Sequence, residues 1–592
     1  MTMMTLRVLA QPPSIHECCR NIRSTDFAVR SNARTAPDVR NDECTRLKIP
    51  HRCGLESPLL RMRALGTWLG TGFAYLIAAA VHASAKPILL NPASYQQTVE
   101  VFNRGDNELT TNAISNARAW DWMQENIPWF DCSDKEIQEI YYFRWWTYRK
   151  HLKLTPSGYI VTEFLPPVPW AGKFNSISCA AGHHIDEGRW LHNRRYLDDY
   201  IRFWFRGGGN PRLYSCWLAQ AVLQRYQVTG DRSFTIDLLP NLVENFHGWE
   251  KERFDASIGL FWQEDGSDGM EVSIGGSGFR APLNSYMIGD AAAIAAIAKI
   301  AGDDKVAKTF AEKSEQIRRS MESALWDETG KFFKVLPRTS GAKLVDVREL
   351  HGYSPWFTYV PDQRFDAAWG QLMDPKGFCA PFGPTTAEQR HPGFAIAYSG
   401  HECQWNGPSW PYSTAVTLTA LANLLNARPL ADPGSRGFFD SLKIYARSQH
   451  RLEEDSRTHP WIDENLNPFT GDWLSRTRLK TWKDGTWSTD KGGVERGKDY
   501  NHSTFNDIVI TGLVGFRPDF SSRLITVHPL VPPGTLAYFC LDDVDYAGRR
   551  LAIVWDATGS AYHVGAGFRI FLDGKEILRQ PNLSAVSFRL PD

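Results

Sequence analysis

Two segments of the chain concentrate carboxylates among tryptophans and glycines. The first is Gly259-Leu260-Phe261-Trp262-Gln263-Glu264-Asp265-Gly266-Ser267-Asp268-Gly269-Met270-Glu271-Val272-Ser273. The second is Trp461-Ile462-Asp463-Glu464-Asn465-Leu466-Asn467-Pro468-Phe469-Thr470-Gly471-Asp472-Trp473. Hydrolysis of a glycosidic bond needs one protonated carboxyl for the leaving oxygen and one ionised carboxylate to activate water or attack carbon. Rings and apolar neighbours raise the pKa of a carboxyl, which suits the acid. The competing reading of any single Asp or Glu is a helix cap or a solvated loop charge, and spacing alone does not decide between them. Tryptophans on both sides of each cluster weigh toward chemistry.

Acids so far apart in the chain need a scaffold that returns distant loops to one place. Apolar positions at three- and four-residue spacing predict helices over 134–150, 190–205, 214–228, 235–253, 284–301, 303–325, 412–426 and 435–450. Thr229-Gly230-Asp231 and Gly302-Asp303-Asp304 each stop one helix and start the next. Long Gly/Pro/Trp-rich connections fill 154–189, 254–283, 327–360, 374–411 and 454–506, and loops of that length are usually functional. The pattern suggests a mainly α barrel of helical hairpins with its loops gathered at one end. After Pro518 the pattern turns to strands: Leu524-Ile525-Thr526-Val527, Leu551 to Trp555, and Phe568 to Leu572 followed by the hairpin signal Asp573-Gly574. A small all-β domain is expected at 518–592.

Composition narrows the function class. The 592 residues carry 66 Lys+Arg and 66 Asp+Glu, so no field favours nucleic acid or anionic lipid. With 22 Trp against 9 Met, the chain holds more indole than packing requires, since each buried indole N–H needs an acceptor. Trp262, Trp405, Trp410, Trp461 and Trp473 fall within or beside the acidic segments and a third Trp-rich stretch, which favours sugar stacking for those five. Arg206-Gly207-Gly208-Gly209-Asn210 lacks the Gly-Lys-Ser/Thr of a phosphate loop, and Gly275-Gly276-Ser277-Gly278 lacks the strand–helix setting of a dinucleotide site. No Gly-x-Ser-x-Gly elbow occurs. His183-His184-x-Asp186-Glu187 has metal-ligand residue types on adjacent positions that diverge, so a helix-start or substrate-lining cluster is the better reading. The run from Glu163 to Lys173, which includes Trp170, is expected to line the pocket. Tyr141 to Trp146 reads as helix core.

The N-terminal region has its own signals. Arg61-Met62-Arg63, the apolar run Ala64 to Val81 and Ala83-Ser84-Ala85 form the three parts of a secretory signal peptide, placed at 62–85, with a signal anchor as the alternative. Residues 1–61 read as a disordered or untranslated extension, and Lys86 as the first mature residue. A secreted, extracellular protein follows, with no membrane contact after cleavage. Six cysteines would remain, none in a CxxC, and their pairing is not legible. Asn501-His502-Ser503 and Asn582-Leu583-Ser584 are glycosylation sequons.

Four motifs carry a family resemblance. Gly269-Met270-Glu271-Val272-Ser273 resembles the Gly-Met-Asp-Asn-Ser segment of the (α/α)6 glycosidases of the glucosidase I, trehalase and mannosylglycerate hydrolase type. Trp405-Asn406-Gly407-Pro408-Ser409-Trp410-Pro411 resembles their Trp-Arg-Gly-Pro-Ile-Trp substrate segment. Asp463 to Gly471 resembles their Glu-Asn/Lys-Tyr-Asn-Pro-x-Thr-Gly segment, and Leu325 to Phe333 another recurring turn. The resemblance implies an (α/α)6 toroid over 86–517, with Glu271 as general acid and Glu464 as general base of an inverting hydrolysis. The substrate contacts expected are Trp262, Asp265, Asp268, Arg280, Trp405, Asn406, Trp410 and Trp473, with no metal and no cofactor. Two departures bear on specificity: Glu271 stands for Asp, and Asn406 for Arg, which removes a fixed cationic fork. The stretch Asp268 to Asp290 is similar to domains grouped as glycoside hydrolase family 142, to which a β-L-arabinofuranosidase activity is attached. The alternatives are a polysaccharide lyase on the same toroid, which would survive loss of Glu464, and a sugar-binding protein that releases nothing. The sugar, its linkage and the oligomeric state are open at this level.

Overall fold

Helices Ala281–Ala301 and Pro411–Ala427 carry small or apolar residues on nearly every face, and such a helix is stable only when covered all round. Arg195–Arg206 and Asp304–Ala324 instead have one apolar stripe and a charged face, as helices at a surface do. The computed structural model, which describes residues 87–396, 403–452, 458–476 and 491–590, sorts these two kinds into an inner and an outer layer. The extension 1–61 and the signal segment 62–85 lie outside the described residues.

The inner layer is a closed ring. Ala181–Gly188 packs on Leu218–Thr229, which packs on Ala281–Ala301. Ser354–Thr358 and Pro411–Ala427 come next, then Asn506–Ile508 with its π-turn continuation Val509–Leu513, which returns to Ala181–Gly188. Outside the ring lie Arg195–Arg206, Leu239–Arg253, Asp304–Ala324, the 3₁₀ segment Gln363–Gln371, Gly434–Ser448 and Lys135–Lys150, the last packed on Asn506–Ile508. The fold is therefore a helical-hairpin (α/α)6 toroid whose final hairpin is closed by Lys135–Lys150, a helix that precedes the other five hairpins in sequence.

The punctuation works as the residues dictate. Gly230 and Gly302 take left-handed φ values of 67° and 86° at helix ends, while Asp231 and Asp303 cap the next helices through Phe234 N (3.1 Å) and Val306 N (3.0 Å). Proline occupies the first turn of Ala281–Ala301, Ser354–Thr358 and Pro411–Ala427, where its missing N–H costs nothing. The short inner helices 181–188 and 354–358 fall inside segments that read as loops in the sequence. Two turns or fewer, buried on all sides, show no amphipathic period.

The C-terminal region forms two antiparallel sheets. Phe516–Asp519, Leu524–Val527 and Val586–Arg589 make one. Tyr538–Tyr546, Arg549–Asp556, Gly567–Leu572 and Lys575–Gln580 make the other. Asp573 and Gly574 close its hairpin with φ of 49° and 78°, the two positive values of a type I′ turn. The edge strand of the larger sheet is Trp129–Cys132, supplied from the N-terminal side of the toroid. Asp542 also accepts from the backbone N–H groups of Ile88, Leu89 and Leu90 (2.6–3.0 Å). The β region is thus laced to residues 88–90 and 129–132, a pairing no local pattern announces.

No helix among the described residues is long and apolar enough to cross a membrane. Among the described residues, Cys132, Cys179, Cys216 and Cys540 are free thiols. Asn501 is buried, its N–H bonded to the carbonyl of Glu163 (3.1 Å), so this sequon offers no glycan acceptor in the folded chain. Asn582, in contrast, is exposed.

Candidate active site

Glu271 sits on a loop that a buried ion pair holds in shape. Arg280, just before helix Ala281–Ala301, meets Asp268 at 2.5 Å, and neither side chain has any exposed surface. The same guanidinium donates to Ser273 Oγ (3.1 Å) and to the carbonyl of Gly276. One turn on, Asn284 accepts from Phe261 N and donates to the carbonyls of Phe261 and Arg280, each at 2.8 Å, locking the strand Leu260–Gln263 to the helix. Asp265 accepts from Gly266 N (2.9 Å) within the same turn. Gly269 before the acid takes φ 71°, and a Cβ there would stand 2.7 Å from Cys179 Sγ. Val272 after it also takes a left-handed φ, 59°, which a β-branched residue avoids. Glu271 is left half-buried between these two turns.

The stretch 403–410 joins this loop to the second acidic segment. Trp405 N donates to the carbonyl of Glu271 (3.1 Å), and Cys403 Sγ lies 3.9 Å from Glu464 Oε2. Two residues of one segment therefore touch both acids, although the acids are distant in sequence. Ser409 and Leu466 exchange both backbone hydrogen bonds at 3.0 Å, fixing the register of the two segments. Trp405 and Trp410 stack at 4.6 Å with 14° between planes, and Trp410 Nε1 donates to the carbonyl of Gln404 (2.8 Å).

Glu464 is buried in a polar nest. Asp463 accepts from Glu464 N (2.9 Å), Ser475 Oγ (3.0 Å) and Arg476 Nε (3.0 Å). Arg496 Nε stands 3.6 Å from Glu464 Oε1, both side chains buried. A guanidinium at that range favours the ionised carboxylate.

The expected substrate contacts divide by position. Trp405 and Trp410 sit on the connecting segment with half-buried Asn406. Asp268 and Arg280 have no exposed side-chain surface and fix the loop that carries Glu271. Trp473 is buried and donates to the carbonyl of His450 (2.9 Å), behind the Asp463 nest. Trp262 is sandwiched by the guanidiniums of Arg253 (4.2 Å) and Arg338 (4.0 Å).

The run from Glu163 reaches the same place. Glu163 accepts from Tyr500 Oη, and its carboxyl feels the charges of both Glu464 and Glu271. Arg496 lies over the Trp170 ring at 4.8 Å. Glu163 belongs to the run expected to line the pocket, whereas Tyr500, His502 and Arg496 carry no signal as site residues in the sequence. His184 is held by Tyr200 Oη (2.8 Å) and the carbonyl of Asn501 (2.5 Å). Glu187 accepts from the N–H groups of Phe505, Asn506 and Asp507 (2.9–3.3 Å), capping the last inner helix. The His183–Glu187 cluster is thus built into the ring, and no metal-holding group of His, Cys, Asp and Glu occurs among the described residues.

Comparison with known proteins gives the following. Residues 173–503 match the family described as the mannosylglycerate hydrolase MGH1-like glycoside hydrolase domain, and residues 520–579 match the C-terminal domain of glycosyl hydrolase family 65. A solved structure named a sialidase is 39% identical over 86% of this chain, with a TM-score of 0.79; the match spans 45% of that longer protein. The GH63 mannosylglycerate hydrolase of Thermus thermophilus in complex with glucose is 12% identical, covers 62% of this chain and 98% of its own, and has a TM-score of 0.44. A GH78 rhamnosidase of a Bacillus species is 12% identical over 73% of this chain and 40% of its own, with a TM-score of 0.48.

Proposed function

Since the chain belongs to the MGH1-like glycoside hydrolase family and is a glycosidase, we propose that Glu271 and Glu464 are its acid and base in an inverting cleavage of a terminal sugar. The observation that carries this reading is the segment Cys403–Trp405, which touches the backbone of one acid and the carboxylate of the other. Glu464 beside Arg496 is the ionised partner and takes the proton of the attacking water. Glu271, half-buried on the loop held by Arg280 and Asp268, delivers the proton to the leaving oxygen. Trp405 and Trp410, buried and stacked on each other, and Trp262, covered by two guanidiniums, pack the wall of the site rather than offer open faces to the sugar. Asp265 and Asn406 are its polar contacts, Asp268 and Arg280 hold the acid loop, and Trp473 backs the base segment.

Secretion rests on the signal-like segment 62–85. N-terminal sequencing of the mature protein returns Lys86 on this reading, and a mature chain starting near Met1 refutes it. The catalytic assignment is tested with the purified chain on a panel of aryl glycosides that includes a β-L-arabinofuranoside and, given the relative named a sialidase, a sialoside. Glu271→Gln and Glu464→Gln should each lower kcat by about 10²–10⁴ with the circular dichroism spectrum unchanged. Near-wild-type turnover by either variant removes that residue from its role. Proton NMR of the first-formed anomer decides between inversion and retention.

A further inference from the structure

The Glu271 loop and the 403–410 segment lead into the N-terminal ends of helices Ala281–Ala301 and Pro411–Ala427. The other end of the ring holds a cavity of about 170 Å³. Its wall comes from the C-terminal halves of inner helices, through Asp186, Gln224 and Asn423, with Arg189 just beyond the first of them. Asp507 and Arg517 complete it, Arg517 from the strand Phe516–Asp519 that opens the β region.

The Nε and Nη2 groups of an arginine form one edge of the guanidinium, and that edge matches a carboxylate. Two arginines of this chain use it so. Arg428 sets Nε and Nη2 on the two oxygens of Asp366 (2.8 and 2.5 Å). Arg189, in the cavity wall, sets both on Asp507 Oδ1 (3.0 and 2.6 Å) and gives Nη1 to Gln224 (2.7 Å). Arg517 differs. Its Nη1 donates to Asn423 Oδ1 (2.7 Å), but Nε and Nη2 are buried and have no hydrogen-bond partner among the described residues.

The carboxyls of the wall do not fill that role. Asp507 Oδ1 accepts from Trp190 Nε1 (2.7 Å) as well as from Arg189. Asp186 is 4% exposed and gives one oxygen to Trp217 Nε1 (2.9 Å), while its Oδ1 has no partner among the described residues. Burial pushes the Asp186 carboxyl up to about 7, so it is largely neutral at mildly acid pH. The wall then sets two guanidiniums against one carboxylate, and a buried cation without a matched anion is strongly destabilising.

We propose that this cavity is a binding site for a small carboxylate, held by the Nε–Nη2 edge of Arg517 at the end of the toroid remote from the two acids. Neutral Asp186 adds an O–H donor to the same wall. Bound there, the carboxylate bridges the inner helices and the strand Phe516–Asp519, so it ties the β region to the toroid. No step of the hydrolysis passes through this site.

The test is isothermal titration calorimetry of the full chain with sodium acetate at pH 6, with ionic strength held constant by sodium chloride. The wild-type chain should bind a single acetate saturably. Arg517→Met should weaken binding by about 10–100-fold, the worth of hydrogen bonds to a charged group. Arg517→Lys keeps the charge but not the two-nitrogen edge, so it should also weaken binding, and it decides alone if Arg517→Met does not fold. Asp186→Asn keeps an oxygen for Trp217 and should leave binding in place. Turnover of an aryl glycoside should be unchanged in the folded Arg517 variants. No saturable acetate binding by wild type, or binding of phosphate but not acetate, overturns the proposal. So does binding that survives in the Arg517 variants, disappears in Asp186→Asn, or is lost together with turnover.

Discussion

Gly497 offers the sharpest test of how Glu464 is held. Its φ is 76°, and a Cβ built on it would stand 2.0 Å from Asp463 Oδ1 and 3.5 Å from Glu464 Cγ. Ordinary contact begins near 3.4 Å, so in Gly497→Ala the Asp463 carboxylate must retreat by more than 1 Å. It has little freedom to do so, since Ser475, Arg476 and the N–H of Glu464 all hold it at 2.9–3.0 Å. The left-handed backbone costs an alanine about 1–2 kcal/mol, and overpacking adds about 1–3 kcal/mol. Because Asp463 grips the backbone of Glu464, the displacement passes to the base. A misplacement of that size costs roughly 100-fold in rate. Gly302→Ala is the control: its φ is 86° with nothing within 4 Å of the added carbon, so it carries the backbone strain without the collision. Differential scanning calorimetry and kcat on one aryl glycoside should show both variants destabilised, Gly497→Ala more so. Only Gly497→Ala should lose turnover. Activity of Gly497→Ala within twofold of wild type would refute the reasoning, because Asp463 would then not set the position of Glu464.

Other expectations follow from buried charge. Asp268→Asn leaves Arg280 an uncompensated cation at zero exposure and should cost about 3–5 kcal/mol in urea unfolding, with loss of the Glu271 loop geometry. A value under 1 kcal/mol would mean the pair is dispensable. Asp290, pushed up to about 7 by burial, binds its proton more tightly in the folded chain than in the unfolded one. Its contribution to stability is therefore full below about pH 4 and is lost as pH rises toward 7. Asp290→Asn should flatten the stability profile between pH 4 and 8, and an unchanged slope would exclude that origin. Val272→Gly relieves a left-handed β-branched residue, so if the turn is needed only for shape, activity persists; a loss of kcat above tenfold would show that the stiff valine aims Glu271.

Much of the framework was local information. The long helices, their Gly–Asp junctions and the Asp573-Gly574 hairpin are encoded by neighbours within a few residues, so the periods and turn residues predicted them closely. The 181–188 and 354–358 helices escaped notice because eight and five residues are too few to show a helical period. Trp129–Cys132 escaped because its partner strand, Tyr538–Tyr546, lies some 400 residues away. The same division runs through the site. Glu271 and Glu464 stood out by type and setting. Tyr500 and Arg496 did not, since each gains its meaning from a neighbour contributed by another loop, and Glu163 was legible only as part of a run expected to line the pocket.

What the sequence determined by itself was the residue inventory: two carboxylates in Trp-rich loops, a hairpin framework, zero net charge and a β tail. Only the tertiary structure decided which of these residues meet. Closing the ring of inner helices brings Cys403 to Glu464, Trp405 to the backbone of Glu271 and Tyr500 to Glu163. It also seals Asp268 and Arg280 away from the ligand side they were expected to face. Burial and charge coupling act over a few ångströms of space, and no spacing along the chain reports them.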